Sequence, residues 1–247
     1  MSTSTTPKRK MIDIHMHLIP GVDDGAENME MAMVMMFQAK EQGIAQIIAT
    51  PHSEVFRYSK EGGKIIFKRL VEMAAKVCPD IKLYLGCEVY CETGIMAEVL
   101  EALDSGRYPT MNGTNYVLMD FSQWVYPENT VPCVEALIHA GYKPIIAHME
   151  RYKHLRDNME LVDRFREQGA QIQVNAYSLV EEMDESIKNW ARQLVREQKA
   201  DFLGTDGHRT YHRPPSAATG LNWIYENCEE HYADAVAWKN AELRLCR

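Results

Sequence analysis

Hydrophobic and polar positions follow two alternating patterns along this chain of 247 residues. Short, almost continuous apolar runs, such as Ile145-Ile146-Ala147, are typical of strands covered on both faces, as in a parallel sheet. Segments with helical periodicity lie between these runs. The predicted strands are 12–16, 45–49, 82–88, 116–121, 144–148, 171–175 and 201–205. The predicted helices are 27–42, 61–77, 130–140, 157–168, 184–198, 216–229 and 232–245.

The boundaries of these segments favour one domain. Gly43, Gly141 and Gly169 each follow a predicted helix, as expected for a residue that ends one. The first helix has five methionines between 29 and 36, which we interpret as a buried, adaptable packing face. No linker rich in Pro, Gly or Ser interrupts the alternation, so we predict a single distorted (β/α)₇ barrel of the TIM type over residues 11–247. Residues 1–10 are polar and are predicted to be a disordered N-terminal extension or a cloning remnant, outside the fold.

Ionisable residues stand at the ends of six predicted strands, where (β/α) barrels build their active sites. His15 and His17 alternate with apolar residues, so both imidazoles leave one face of the first strand. An unpaired charge at an apolar strand tip is costly, so this repetition favours a metal cluster over satisfied core groups or surface histidines. The other candidates are Asp24 (or its neighbour Asp23), His52, Glu88, Asp120, His148, Asp206 and His208.

Nine or ten nitrogen and oxygen donors exceed the needs of one ion, so we expect two or three cations with bridging carboxylates. Ligation by His and carboxylate without thiolate suits Zn²⁺, Mn²⁺ or Fe²⁺.

The net charge of −8 argues against a non-specific nucleic-acid binder. The six cysteines form no CxxC pair, and none begins a CxxxxxR phosphate loop. Scattered cysteines without an export signal or a membrane-length apolar run predict a cytoplasmic location.

Six motifs in order give the chain a close family resemblance: Asp-Ile-His-Met-His (13–17), Val-Asp-Asp-Gly (22–25), Ala-Thr-Pro-His (49–52), Gly-Cys-Glu (86–88), Ala-His-Met-Glu-Arg-Tyr (147–152) and Thr-Asp-Gly-His (205–208). They resemble the PHP (polymerase and histidinol phosphatase) superfamily, and within it the bacterial CpsB/CapC/YwqE-type protein tyrosine phosphatases. The resemblance runs from Met11 to about residue 245. It implies a distorted (β/α)₇ barrel with a trinuclear metal site, with Mn favoured and Fe or Zn as alternatives.

The resemblance also implies a ligand set. His15, His17, Glu88 and Asp206 would hold the first ion, Glu88 would bridge to a second ion held by Asp120 and His148, and Asp24, His52 and His208 would hold the third. The family usually has Glu at the position of Asp120, and Asp23 remains an alternative to Asp24. Two phosphate-binding arginines correspond to Arg151 and Arg213. Arg57 and Arg209 are weaker candidates, and the role of His212 is left open.

The implied reaction is hydrolysis of phosphotyrosine on an autophosphorylated bacterial tyrosine kinase of capsule or exopolysaccharide biosynthesis. Asp206 or His208 would assist the leaving oxygen. One alternative is a phosphatase of a small phosphomonoester such as histidinol phosphate. Another is a metal-stabilised, non-catalytic module that binds a kinase. A nuclease is disfavoured by the acidic charge, and the oligomeric state is not determined by the sequence.

Overall fold

The computed structural model describes residues 9–57, 61–180 and 183–246. Every paired strand in this part of the chain runs parallel to its neighbour, in the sheet orders β1-β2-β3 and β4-β5-β6-β7-β8. The strands are β1 (Met11–Met16), β2 (Ile44–Ala49), β3 (Lys82–Leu85), β4 (Glu88–Tyr90), β5 (Tyr116–Asp120), β6 (Lys143–Ile146), β7 (Gln171–Asn175) and β8 (Phe202–Gly204).

Backbone hydrogen bonds join the two sheets at both seams. The amide of Ser53 donates to the carbonyl of Glu88 at 2.9 Å, and the amide of His17 donates to the carbonyl of Gly207 at 2.9 Å. The strand predicted at 82–88 is wrong as one continuous element, because the chain leaves the ladder at Gly86 and Cys87 and β3 and β4 pair with different neighbours. The two short strands together occupy one position, so the predicted arrangement of seven strand positions is confirmed.

Helices separate most of the successive strands, and the last three follow β8. They are α1 (Met29–Glu41), α2 (Glu54–Arg57), α3 (Gly62–Val77), α4 (Met96–Asp104), α5 (Pro127–His139), α6 (Met159–Glu167), α7 (Glu185–Arg196), α8 (Ala218–Asn227), α9 (Glu230–Asp234) and α10 (Asn240–Arg244). Helices α2 and α4 were not predicted from the sequence, although α4 buries Val99, Ala102 and Leu103 at helical spacing. The helix predicted at 232–245 is interrupted by a π-helical turn, Ala235–Lys239.

The apolar core lies between the strands and the helices that cover them. Met33, Met35 and Met36 of α1 are buried in it, which confirms the packing role predicted for the methionines. A second apolar cluster joins Ile14 of β1 and Phe202 of β8 to Leu245 near the C-terminus, among other residues. Gly43, Gly141 and Gly169 have φ values of 90°, 87° and 102°, so the predicted helix-ending role is confirmed.

The start of the described chain contacts the helices that follow β8. Arg9 donates to the carbonyl of Asn222 at 3.1 Å and stacks over the ring of Tyr225. Lys10 forms an ion pair of 3.1 Å with Glu242. Residues 1–8 of the predicted extension lie outside the described residues. Within the described segments, every helix falls short of the length and apolar character that a membrane span requires.

Candidate metal centre

The ionisable side chains predicted at the strand ends converge on one cleft with a volume of about 150 Å³. His15 and His17 are fully buried and contact the carboxylate of Glu88 behind this cleft. The cleft is lined by Asp24, His52, Glu88, Asp120, Phe121, Gln123, His148, Arg151, Asp206, His208 and Arg213. The structure therefore brings all the predicted site residues together.

Glu88 lies at the centre of the histidines. Its carboxylate is 3.3 Å from Nε2 of His15, 3.2 Å from Nε2 of His17, 2.9 Å from Nδ1 of His52 and 3.0 Å from Nε2 of His148. Burial alone would raise the pKa of Glu88, but the imidazoles of His15, His148 and His17 hold that pKa well below its usual value. Oε2 of Glu88 is buried and has no hydrogen-bond partner among the described residues, although two imidazole nitrogens lie near it. A shared cation would satisfy this oxygen and those nitrogens together.

Potential ligand atoms form three overlapping groups, each with its atoms within 4.8 Å of one another. The groups are His15, His17 and Asp206; His15, Glu88 and His148; and His17, Asp24, His52 and His208. They contain only nitrogen and oxygen donors, which fits Mn²⁺, Fe²⁺ or Zn²⁺. Asp120 lies just outside these groups, with its Oδ1 3.6 Å from Nε2 of His148.

The loop after β1 gives its two aspartates different partners. Oδ1 of Asp24 is 3.2 Å from Nε2 of His52 and 3.4 Å from Nε2 of His208, on the cleft side. Oδ2 of Asp23 instead accepts a hydrogen bond from Nδ1 of His17 at 2.9 Å. Of the two, Asp24 is therefore the one that faces the clustered donor atoms.

Asp23 orients His17 from behind, as carboxylates commonly do for metal-binding histidines. Burial would raise the pKa of Asp23, but the hydrogen bond from His17 outweighs it and lowers that pKa. The amide of Gly25 also donates to Oδ1 of Asp23, at 3.0 Å. A Cβ atom on Gly25 would lie 2.2 Å from the carbonyl oxygen of His17, so the close approach of this loop to β1 requires glycine.

Three buried residues that hold the site together were missed by the sequence analysis. Oε1 of Gln173 lies 3.1 Å from Nδ1 of His15 and accepts a hydrogen bond of 2.9 Å from the amide of His148. Asn175 donates to Oδ2 of Asp206 at 3.2 Å, and Tyr152 donates to Oδ1 of Asp120 at 2.9 Å. Gln173 and Asn175 stand on β7, the one predicted strand without an ionisable residue at its end. The alternation of amide side chains in Gln-Ile-Gln-Val-Asn (171–175) was the available signal.

Asp206 separates the histidines from two arginines. Its Oδ1 is 3.6 Å from Nε2 of His15, whereas its Oδ2 contacts Nη1 of Arg151 at 2.6 Å and Nη2 of Arg213. Burial would raise the pKa of Asp206, but His15, His148 and Arg213 hold it well below the usual value. Burial, with His17, lowers the pKa of His208 to about 3, so its ring is neutral near pH 7.

Three of these residues have left-handed backbone conformations, with φ values of 28° at His148, 52° at Asp206 and 58° at Arg213. Non-glycine residues in this region are strained, and such strain concentrates at functional sites.

The weaker candidates for phosphate binding have partners outside the metal centre. Arg57 pairs with Glu98 at 3.2 Å in a separate cleft, Arg209 pairs with Glu27, and His212 is exposed.

A parallel (β/α) barrel with histidines and carboxylates at the carboxyl ends of its strands belongs to the class of metal-dependent barrel hydrolases. Within that class, residues 11–246 match the family described as capsular polysaccharide synthesis, CpsB/CapC, and the chain belongs to this family. The predicted membership is therefore confirmed.

The chain is 32% identical to the tyrosine-protein phosphatase YwqE of Bacillus subtilis, and the alignment covers 95% of this chain and 91% of YwqE. It is 28% identical to the tyrosine-protein phosphatase CpsB of Streptococcus pneumoniae, over 83% of this chain and 86% of CpsB. A crystal structure from the pair YwqE and CpsB, described as metal-dependent tyrosine phosphatases, superposes with a TM-score of 0.78 at 28% identity, covering 96% of this chain and 94% of the other. The enzyme class predicted from the sequence is thus that of its named relatives.

The barrel fold extends to more distant proteins. A β-aspartyl dipeptidase from Fervidobacterium islandicum matches with a TM-score of 0.54 at 12% identity, over 98% of this chain and 78% of the dipeptidase. This likeness supports the predicted barrel and concerns the fold alone.

Proposed function

We propose that this protein is a metal-dependent protein tyrosine phosphatase whose substrate is an autophosphorylated bacterial tyrosine kinase of capsule or exopolysaccharide biosynthesis. The observation that carries the proposal is the position of Asp206. One of its carboxylate oxygens faces His15 and His17, and the other faces Arg151 and Arg213. Groups that bind cations therefore adjoin groups that bind phosphate, as hydrolysis of a phosphomonoester requires.

The proposed cofactor is two to three divalent ions, with Mn favoured and Fe or Zn as alternatives. Bound ions supply an acidified water as nucleophile near neutral pH and offset the charge of the phosphoryl group. The proposed ligands are His15, His17, Asp24, His52, Glu88, Asp120, His148, Asp206 and His208. The crowding of imidazoles around Glu88 and the absence of thiolate among the donors support this assignment.

Arg151 and Arg213 are proposed to bind the phosphoryl oxygens. A guanidinium presents a planar fork of donors that matches phosphate and keeps its charge at every physiological pH. Both arginines contact Asp206 in the free protein, which keeps them in position beside the metal-ligand groups.

The leaving oxygen receives little help from Asp206 or His208 in this proposal. The pKa of Asp206 is held well below its usual value and that of His208 is lowered to about 3, so near neutral pH Asp206 is a carboxylate and His208 is not an imidazolium, and neither acts as a general acid. Both low values favour a role in ligation instead. A phenolate, with a pKa of about 10, leaves more readily without a proton than an alkoxide does, which favours phosphotyrosine over aliphatic phosphates.

The kinase partner and the cytoplasmic location belong to the same proposal. All six cysteines are free thiols, which fits a reducing compartment. The relatives YwqE and CpsB are named tyrosine-protein phosphatases, and these names support a phosphotyrosine-containing protein as the substrate.

The test compares hydrolysis of an aryl phosphate, a phosphotyrosyl peptide and histidinol phosphate, with and without a chelator. We expect metal-dependent turnover of the first two substrates and little turnover of histidinol phosphate. The variant His208→Ala should lose activity, whereas His231→Ala, at an exposed position, serves as its control. Chelator-resistant turnover would contradict the metal mechanism. Preference for histidinol phosphate would identify a small-molecule phosphatase, and metal binding without turnover would identify a binding module.

A further inference from the structure

An apolar cavity of about 370 Å³ lies beside the metal centre and has no role in the mechanism above. Its walls come from the 3₁₀ turn after β7 (Ala176–Leu179), from Val180 and Met183, and from the loop before α8 and the start of that helix. The side chains that define it are Tyr177, Val180, Met183, Pro214, Ala217 and Thr219, together with Arg213. Arg213 is the only charged residue among those that line the cavity in the described part of the chain.

The cavity is preformed because its two walls are packed backbone against backbone. A Cβ atom on Gly220 of α8 would lie 2.0 Å from the carbonyl oxygen of Ala176 in the 3₁₀ turn. Only glycine allows this approach, so the turn and the helix are held at a fixed separation. Its volume lies within the range of about 300–1,000 Å³ that is usual for sites that bind small ligands or side chains.

Two residues connect the cavity to the metal centre. Arg213 lines both spaces, and its guanidinium contacts Asp206. The hydroxyl of Tyr177 lies 3.4 Å from Nδ2 of Asn175, which itself donates to Asp206 at 3.2 Å. Arg213 therefore forms a shared wall between the cleft and the apolar cavity, and Tyr177 lies on the cavity side of it.

We propose that this cavity is a specificity subsite that binds one apolar side chain of the substrate, next to or near the phosphotyrosine in sequence. The inference rests on the proposed phosphatase function. We assign the cavity to a flanking side chain because the phosphoryl group is proposed to bind on the Asp206 side of Arg213, whereas the cavity lies on its other side. An extended peptide advances about 3.3 Å per residue, so a residue one or two positions away can cross this wall. The apolar lining favours Leu, Ile, Met or Phe at that position.

The experiment uses the metal-loaded enzyme and a set of phosphotyrosyl peptides. The peptides differ at one flanking position at a time, which carries either Leu or Asn. The positions tested run from two residues before to two residues after the phosphotyrosine. Within each enzyme variant, the readout is the ratio of kcat/KM for the Leu peptide to that for the Asn peptide. We expect this ratio to be about 10 or more at one position in the wild type, because burial of a leucine side chain is worth about one to two powers of ten in affinity. Thr219→Trp, which fills the cavity from an exposed position, should reduce the ratio to about 1.

Thr219→Ser keeps the size of the cavity and is the matched control, with the wild-type ratio expected. Val180→Asp is an independent variant for the case in which Thr219→Trp does not fold. It should invert the preference by placing a carboxylate in the apolar lining. Ratios below 2 at every position in the wild type, or a ratio that survives in both variants, would overturn the subsite. Failure to hydrolyse any of the peptides would overturn the phosphatase proposal as well, so the two failures are distinguishable.

Discussion

Nη1 of Arg151 lies 2.6 Å from Oδ2 of Asp206, a carboxylate that is almost completely buried. Oδ1 of the same carboxylate faces the buried histidines of β1. Arg151 thus contacts the proposed metal centre through an oxygen that points away from those histidines. This geometry separates phosphate binding from metal binding, and the separation can be tested.

We expect Arg151→Ala to lower kcat/KM for a phosphotyrosyl peptide by about 100-fold or more, the usual effect of removing one donor to a transition-state anion. The metal content of the Arg151→Ala enzyme should remain at the wild-type level, because Oδ1 of Asp206 still faces His15 and His17. Arg151→Lys should recover only part of the activity, because an ammonium lacks the planar fork. Steady-state kinetics and elemental analysis provide the two readouts, with Arg164→Ala, an exposed ion-pair residue, as control. Loss of metal from Arg151→Ala would instead make Arg151 a structural residue.

Glu88→Gln should remove metal and activity together. Four imidazole nitrogens lie within 3.3 Å of this carboxylate, so a neutral amide removes the one negative charge they share. We expect a loss of at least one ion per chain in elemental analysis and a fall of kcat by about 100-fold or more. Glu92→Gln, just beyond the end of β4 at an exposed position, is the matched control. A Glu88→Gln enzyme with full metal content would exclude a bridging role.

Tyr152→Phe tests whether Asp120 is a ligand. The hydroxyl of Tyr152 donates to Oδ1 of Asp120 at 2.9 Å and accepts from the amide of Phe121 at 3.2 Å, in a fully buried position. Its removal should lower the free energy of unfolding by about 1–2 kcal/mol. If Asp120 ligates, the affinity for one ion should also fall by about 10- to 100-fold. Metal titration followed by calorimetry measures this change, with Tyr126→Phe as control. Unchanged affinity for every ion would argue against direct ligation by Asp120.

Asp234 gives a pH-dependent prediction far from the site. Burial would raise its pKa, but hydrogen bonds from Lys239, Tyr225 and Trp238 outweigh burial and lower that pKa below its usual value of 3.8. A carboxyl group with a lowered pKa in the folded state stabilises the protein above the unfolded pKa, and this contribution is lost as the pH falls through the folded pKa.

Asp234→Asn should therefore lower the free energy of unfolding by about 1 kcal/mol at pH 7, with the difference from the wild type shrinking as the pH falls below 3.8 and through the lowered pKa of Asp234. Urea denaturation at several pH values measures it. Asp104→Asn, at an exposed position, should show no such pH-dependent loss. A constant difference at all pH values would show that the charge of Asp234 is not the cause.

The alternation of strands and helices, and the types of residue at the strand ends, could be predicted from the sequence alone. The reason is that both signals are local. Apolar runs predict strands wherever they fall, and His15 and His17 share a face because side chains alternate along a strand. The Gly25 loop, the methionine-rich helix and the site histidines were likewise visible as short patterns. The short helix α4 was missed although its apolar spacing was available.

Which groups meet, and in what role, depends on the tertiary structure. Asp23 and Asp24 are neighbours in sequence, yet one orients His17 and the other faces His52. The buried amides Gln173 and Asn175 acquire their roles only from partners that are distant in sequence. The apolar cavity beside Arg213 likewise exists only because α8 packs against the turn after β7. Local sequence fixes the direction of a side chain along its own element, whereas distances between elements depend on how the whole barrel packs.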